Sequence, residues 1–173
     1  MTSSKATPDV RLRAMEPEDL DLLYRIENDH RLWNVGTTNV PYSRYVLHDY
    51  IANASGDIYT DREVRFIIDN GVGETVGTID ITNFDAKNLR AEVGIVTLCE
   101  HRRHGYALSA LLQITDYALR VLHLHQLYAV VNHDNEASLC LFKKAGFIET
   151  AQLKDWLYDG KNYHPAVLMQ IFF

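Results

Sequence analysis

This chain is short of four things, and each shortage removes a class of function. Two cysteines, Cys99 and Cys140, occur in 173 residues. Neither lies in a CxxC or in a Cys/His spacing that suits zinc, so two reduced thiols are expected rather than a disulfide scaffold or a zinc module. No apolar run approaches the ~18 residues that a membrane span requires. The first nine residues are small and polar, without the apolar core of a secretory signal, and a cytoplasmic protein is the expectation. Basic residues are outnumbered, 17 Lys and Arg against 23 Asp and Glu, and the net charge of -6 argues against a nucleic-acid binder resting on a broad basic surface. Neither HExxH nor a GK[ST] phosphate loop occurs, so metalloprotease and nucleotide triphosphatase readings lack support and no metal site is expected.

What remains describes one folded unit. A content of 47% hydrophobic and 23% charged residues is globular, and the length suffices for a full core. Residues 1–9 read as a loose tail and residues 10–173 as a single domain without internal repeats. Val10 to Met15 alternates like a half-buried strand. Pro17 with Glu18 and Asp19 opens a helix that continues through Leu20, Leu23, Tyr24 and Ile26, and Ser43 caps a second helix running to about Ala54. Val64 to Asp69, Thr75 to Thr82 and Arg90 to Val96 form a three-strand meander, with turns at Gly71-Val72-Gly73 and at residues 85–88. Apolar residues at helical spacing from Tyr106 to Leu122 predict a helix packed on a sheet. Leu127 to Val131 is a continuous apolar run, which predicts a strand buried on both faces. Glu136 to Lys144 is a helix closed by Gly146, and two last strands flank Asp159-Gly160. The order of these elements implies a mixed α/β sheet, a meander on one side and crossover helices on the other.

Two stretches carry chemistry. The first is Arg102-Arg103-His104-Gly105-Tyr106-Ala107, a basic turn between a strand and a helix. The first N–H groups of a helix have no internal partner and carry partial positive charge, so such a turn suits phosphate. The second is Asn132-His133-Asp134-Asn135-Glu136-Ala137-Ser138, ending in Lys143-Lys144-Ala145-Gly146-Phe147. Together, at this separation, they resemble the GCN5-related N-acetyltransferase (GNAT) family over nearly the whole of Val10 to Phe173, most closely its spermidine and ribosomal-protein alanine acetyltransferase branches.

That resemblance implies a fold, a cofactor and roles. The fold is an antiparallel meander joined to a splayed parallel pair, with flanking helices. The cofactor is acetyl-CoA. Arg102, Gly105 and Ala107 match the diphosphate turn, with Arg103, where the family usually has Gly, and His104 adding positive charge beside Tyr106. Backbone along Val93, Ile95 and Val96 lines the thioester gap and supplies the N–H that polarises the carbonyl. Asn135 meets the pantetheine arm, with Ser138 one turn on. Phe142 stands where the family usually has the Tyr that protonates the leaving thiolate. Phe cannot donate a proton, so the thiolate leaves unassisted, at a cost of about 2 kcal/mol for a thiol of pKa ~8.5, or Ser138 donates.

The acceptor is an amine, either a polyamine-like small molecule or a protein N-terminus. At pH 7 a polyamine nitrogen with a pKa near ~10.4 costs about 4 to 5 kcal/mol to deprotonate, against about 1 for an α-amino group, so a base matters most for a polyamine. Glu92, on the strand before the turn, is the expected base. Asp80 on the neighbouring strand comes second or contacts the substrate cation. Trp33, Trp156 and Glu27 are expected in the acceptor pocket. Related branches assemble as dimers or larger rings, so a homo-oligomer is expected. A non-catalytic acyl-CoA-binding or partner-binding module is the alternative.

Overall fold

Alternation along the strands decides which residues meet which layer. The computed structural model describes residues 7–30 and 40–173, so Trp33 lies outside the described residues. Strands β1 (Val10–Ala14), β2 (Val64–Asn70), β3 (Thr75–Asp85), β4 (Arg90–Thr97), β5 (Gln126–Asn132), β6 (Ile148–Tyr158) and β7 (Tyr163–Phe172) form one sheet in the order β1-β2-β3-β4-β5-β7-β6. All neighbouring pairs are antiparallel except β4 and β5, which are parallel. The longer helices are α1 (Leu20–Glu27), α2 (Arg44–Asn53), α3 (Tyr106–Arg120) and α4 (Glu136–Lys144). Single turns, Pro17–Asp19, Ile58–Asp61 and Cys99–His101, interrupt the connections.

One face of the sheet carries Ile79, Ile81, Ala91, Val93, Leu127, Ala129 and Val131. These pack with Ala110, Leu111, Ile114 and Ala118 of α3 and with Phe142 of α4 into a continuous apolar core. The other face carries Arg65 and Ile67 of β2 and is met by α1, since Arg65 bonds Glu27. Leu23, Ile26 and Leu47 are buried there beneath α1 and α2. As expected, the Ser43 hydroxyl caps α2 by accepting from the Val46 N–H at 3.2 Å.

Two expectations need correction. β5 is not buried on both faces: Leu127, Ala129 and Val131 are buried, but Tyr128 and Val130 between them are half-buried. α3 covers one face of this strand, while α1, on the other side of the sheet, sits over β2. β3 also runs three residues beyond the expected end at Thr82. Its ladder with β4 slips between Thr82↔Glu92 and Asp85↔Arg90, so Asn83 and Phe84 oppose Ala91 alone. This is a β-bulge, which a reading by strict alternation takes for the end of the strand.

Candidate active site

The parallel pair separates after three residues. β4 and β5 are in register at Arg90↔Gln126, Ala91↔Leu127 and Glu92↔Tyr128, and then part. From Val93 onward β4 pairs with β3 alone, and from Ala129 onward β5 pairs with β7 alone. The backbone groups of Val93 and Ile95, which face β5, therefore have no ladder partner, whereas those of Val96, one step out of phase, face β3 opposite Thr78. Unpaired backbone edges in a gap between two strands are a place for an extended, amide-bearing ligand.

At the open end of that gap stands α3. Its N-cap is Gly105, with φ 90, and no side chain caps the first turn. Arg103 also has a positive φ, 65, and Arg102 to Gly105 are exposed. These two left-handed residues turn the chain so that the helix N-terminus opens to solvent instead of being closed by a Ser or Asp. The Arg102 Nε donates to the Thr97 carbonyl at 3.2 Å, which ties the turn to the end of β4. The His104 ring stacks on Tyr106, centroids 5.8 Å apart. Uncapped N–H groups, two guanidinium groups and an unzipped strand pair fit the diphosphate and the arm of coenzyme A.

Across the sheet from the α3 core lies a carboxylate-rich face. Glu92, Gly94, Asp80 and Thr82 share it, with Glu92 opposite Thr82 and Asp80 opposite Gly94. Glu92 and Asp80 are thus offset along the face rather than directly opposed. Asp80 is engaged by Arg65 in a two-pronged pair, 2.9 and 2.8 Å, and Arg65 also reaches Glu27 at 2.7 Å. Burial pushes the Asp80 carboxyl up, against the pull of Arg65. Glu63 lies beside this group and accepts from the Tyr50 hydroxyl at 2.9 Å. Glu92 stands apart from Arg65 and accepts one bond, 2.8 Å, from the Asn83 amide. A Cβ built on Gly94 would meet nothing within 4 Å, so the floor between Asp80 and Glu92 is open.

Helix α4 enters from the far side of the gap. The Asn135 side chain caps it by accepting from the Ser138 N–H at 3.1 Å. Capping occupies the Asn135 oxygen and leaves its amide for a ligand. The Ser138 side chain is half-buried in the first turn. Phe142 is 3% exposed and meets Phe147 edge-on, centroids 5.0 Å apart, so its ring is part of the core. Trp156 is not brought to Glu92. The row through Glu92 crosses Tyr128 and Gln170 to reach Ile148, at the opposite end of β6 from Trp156, whose side chain is 59% exposed.

A cavity of about 210 Å³ lies between the end of α1 and the end of β4, bounded by Ile26, Asp29, Val96, Cys99 and Arg102. It borders the basic turn at Arg102. A larger hollow, about 720 Å³, lies beneath Thr7, Pro8 and Asp9 on the outer side of α3, away from the splay. Its size does not make it the reaction site, since no backbone gap or basic turn opens onto it.

Sequence reading missed Arg65 and Asn83. Arg65 sits in a plain strand pattern, and only the register of β2 on β3 sets it against Asp80. Asn83 looked like strand-end polarity; its positive φ, 51, was the missing signal.

Comparison with known proteins agrees with this geometry. The acetyltransferase (GNAT) domain family matches residues 9–148. A spermidine N(1)-acetyltransferase of Escherichia coli (strain K12) is 29% identical over 167 residues, 94% of this chain and 86% of that protein. A putative ribosomal N-acetyltransferase of Bacillus subtilis (strain 168) is 27% identical over 96% of this chain and 93% of its own length. The crystal structure of a spermidine N-acetyltransferase from Vibrio cholerae, in complex with CoA and spermine, shares the fold with a TM-score of 0.82 at 23% identity, covering 94% of this chain and 95% of that one. A dodecameric structure of that Vibrio enzyme has a TM-score of 0.78.

Proposed function

The chain belongs to the GNAT acetyltransferase family, an acetyl-CoA-dependent N-acetyltransferase, and from that premise we propose that its acceptor is a primary amine on a polyamine-like small molecule. The observation that carries this reading is the excess of negative charge on the open face. Among the described residues, four carboxylates, Glu27, Glu63, Asp80 and Glu92, stand there against one guanidinium, Arg65. An open floor with surplus negative charge concentrates a polycation and orients it by charge rather than by shape. The exposed backbone at Gly94 admits a peptide N-terminus too, which is the second acceptor class.

Bound acetyl-CoA supplies a thioester carbonyl that a neutral amine attacks, forming the C–N bond as the C–S bond breaks. The chain's own groups do the rest. Glu92 takes the ammonium proton, directly or through one water, and releases it to solvent. The uncapped turn at Arg102–Gly105 and the amide of Asn135 hold the cofactor along the gap. A β4 N–H beyond Glu92 polarises the carbonyl, a kind of preformed donor that contributes ~3 kcal/mol in other acyl-transfer sites. With Phe142 unable to donate, the thiolate would depart unassisted and the nitrogen's second proton would pass to it through solvent, or the Ser138 hydroxyl would supply the thiolate's proton and recover one from solvent as the nitrogen loses its own.

The experiment is an amine panel: polyamines and N-terminal peptides incubated with acetyl-CoA, with free CoA titrated as thiol. Turnover is expected to be highest with polyamines. CoA binding without turnover on any amine would leave a binding module instead. Glu92→Gln is expected to slow polyamine acetylation roughly 10²-fold, more than that of a low-pKa amine, with the gap closing at high pH. Equal losses on both at every pH would remove Glu92 from the role. We place the protein in the cytoplasm as a homo-oligomer; no helix among the described residues is long and apolar enough to cross a membrane, and the Vibrio relative assembles as a dodecamer.

A further inference from the structure

We propose that Asn83 is a positioning residue for this reaction: the bulge in β3 exists to aim its amide at the Glu92 carboxylate. The inference rests on the reading of Glu92 as the base.

The geometry is specific. By strict alternation from Thr82, residue 83 would point into the α3 core and residue 84 out of it. The bulge reverses both assignments. Phe84 is 4% exposed and belongs to the apolar core, edge-on to Tyr59 at 5.1 Å. Asn83 is exposed on the carboxylate face and donates from Nδ2 to the Glu92 Oε2 at 2.8 Å. To do this its backbone adopts a φ of 51, in the left-handed region that glycine occupies most readily and that Asn tolerates better than other residues. At the first position of such a bulge glycine is the residue with least strain. This chain places there Asn, which combines tolerance of that backbone with a neutral donor. Re-aiming a side chain is what bulges beside active sites do.

The bond orients Glu92. Oε2 is held by the amide, which leaves Oε1 to face the acceptor nitrogen over the open floor at Gly94. Other charged or titratable groups on this face are Tyr128 on β5, in register with Glu92 and bonded by the Asn83 side chain as well, with Arg90 and Asp85 near it, then Asp80 on β3, Arg65 on β2, Glu27 on α1, and Glu63 with Tyr50 beyond Arg65. The Tyr128 phenol is pushed up by burial and by the Glu92 charge, so it stays protonated through the working range. Arg65 is taken by Asp80 and Glu27. Asn83 is therefore the group that sets the orientation of Glu92.

Two substitutions separate this role from a structural one. Asn83→Gly deletes the amide while relieving the backbone, so thermal stability holds or rises. Asn83→Asp keeps size and backbone tolerance but replaces the donor with a second anion. Both are compared with wild type and with Glu92→Gln for melting temperature, CoA affinity by calorimetry, and kcat and KM for a polyamine across pH. The expected result is unchanged CoA affinity and a melting temperature no lower than wild type for the glycine variant. Its kcat falls roughly tenfold with little change in KM, a part of what a positioned base contributes. In Asn83→Asp, where a second anion stands against Glu92, kcat falls further and the acid limb of the rate profile moves to higher pH. Wild-type kcat and an unmoved acid limb in both Asn83 variants, with Glu92→Gln slow, would overturn the role of Asn83 alone. A Glu92→Gln enzyme as fast as wild type would overturn the base reading, and this inference with it.

Discussion

Arg13 holds two carboxylates at once. Its Nη1 and Nη2 donate to Asp19 at 2.7 and 2.8 Å, and its Nε donates to Asp69 at 2.6 Å. The Asp19 side chain is only 8% exposed, so its charge depends on that partner. Burial by itself would raise Asp19; the bonds from Arg13 and from the Glu16 N–H outweigh burial and hold the carboxyl below its ordinary range. Arg13→Ala leaves two carboxylates without their guanidinium and is expected to cost about 3 kcal/mol, measured by chemical denaturation at pH 7. Arg13→Lys recovers only part, because one ammonium cannot bridge both acids with the same fork. The sign with pH is set by the lowered carboxyl. Its contribution is complete above the unfolded pKa and is lost as pH falls through the folded one. Stability of the wild type therefore drops more steeply than that of Arg13→Ala below about pH 4. Residues of this kind were invisible in the sequence. Arg13 alternates like any strand residue, and nothing local tells that Asp69, on a strand far along the chain, lies against it.

Helices were the most legible elements, because their starts and stops are written within a few residues. Ser43 caps α2 and Gly146 ends α4 with a φ of 95, both as the sequence implied, and the structure adds Asn135 as the cap of α4. The start of α3 at Tyr106 was legible as well, but its function depends on what is missing there. A helix begun by Gly105 without a side-chain cap keeps its first N–H groups for a ligand. Gly105→Trp is expected to abolish CoA binding in a folded domain. The new side chain covers the amide cradle, its Cβ would approach Pro8 Cδ to 2.9 Å, and the left-handed backbone adds about 1 to 2 kcal/mol of strain. Calorimetry with CoA alone decides it, with unaltered affinity in a folded variant as the refuting result. Strands were read less well, and for one reason. Alternation predicts a face only while the register is regular. β3 breaks its register at Asn83 and Phe84, and β5 looked doubly buried because its outward residues, Tyr128 and Val130, are apolar in body without being fully covered.

At the scale of the whole molecule, one parallel contact in an otherwise antiparallel sheet creates the site. β4 and β5 agree for three residues and then diverge, which opens the gap between them, while the carboxylate face is set by the antiparallel register of β2, β3 and β4. The sheet ends in β6, an edge strand exposed along most of its length, with Trp156, Tyr158 and Tyr163 outward at its hairpin end. An open edge with exposed aromatics is a surface that self-association covers. Light scattering is expected to return a mass that is a multiple of 19.8 kDa, and a monomer at micromolar concentration would contradict it.

Residue order alone determined the element types, the basic turn before α3, the helix caps and the family, because periodicity, capping and short motifs act between neighbours along the chain. Tertiary structure decided that Arg65 neutralises Asp80 and Glu27, that Glu92 stands apart from them, and that Asn83 points at it. Those pairings join residues up to 38 positions apart, as between Glu27 and Arg65, and depend on strand register and on one bulge. A shift of one residue in register would send each of these side chains to the opposite face.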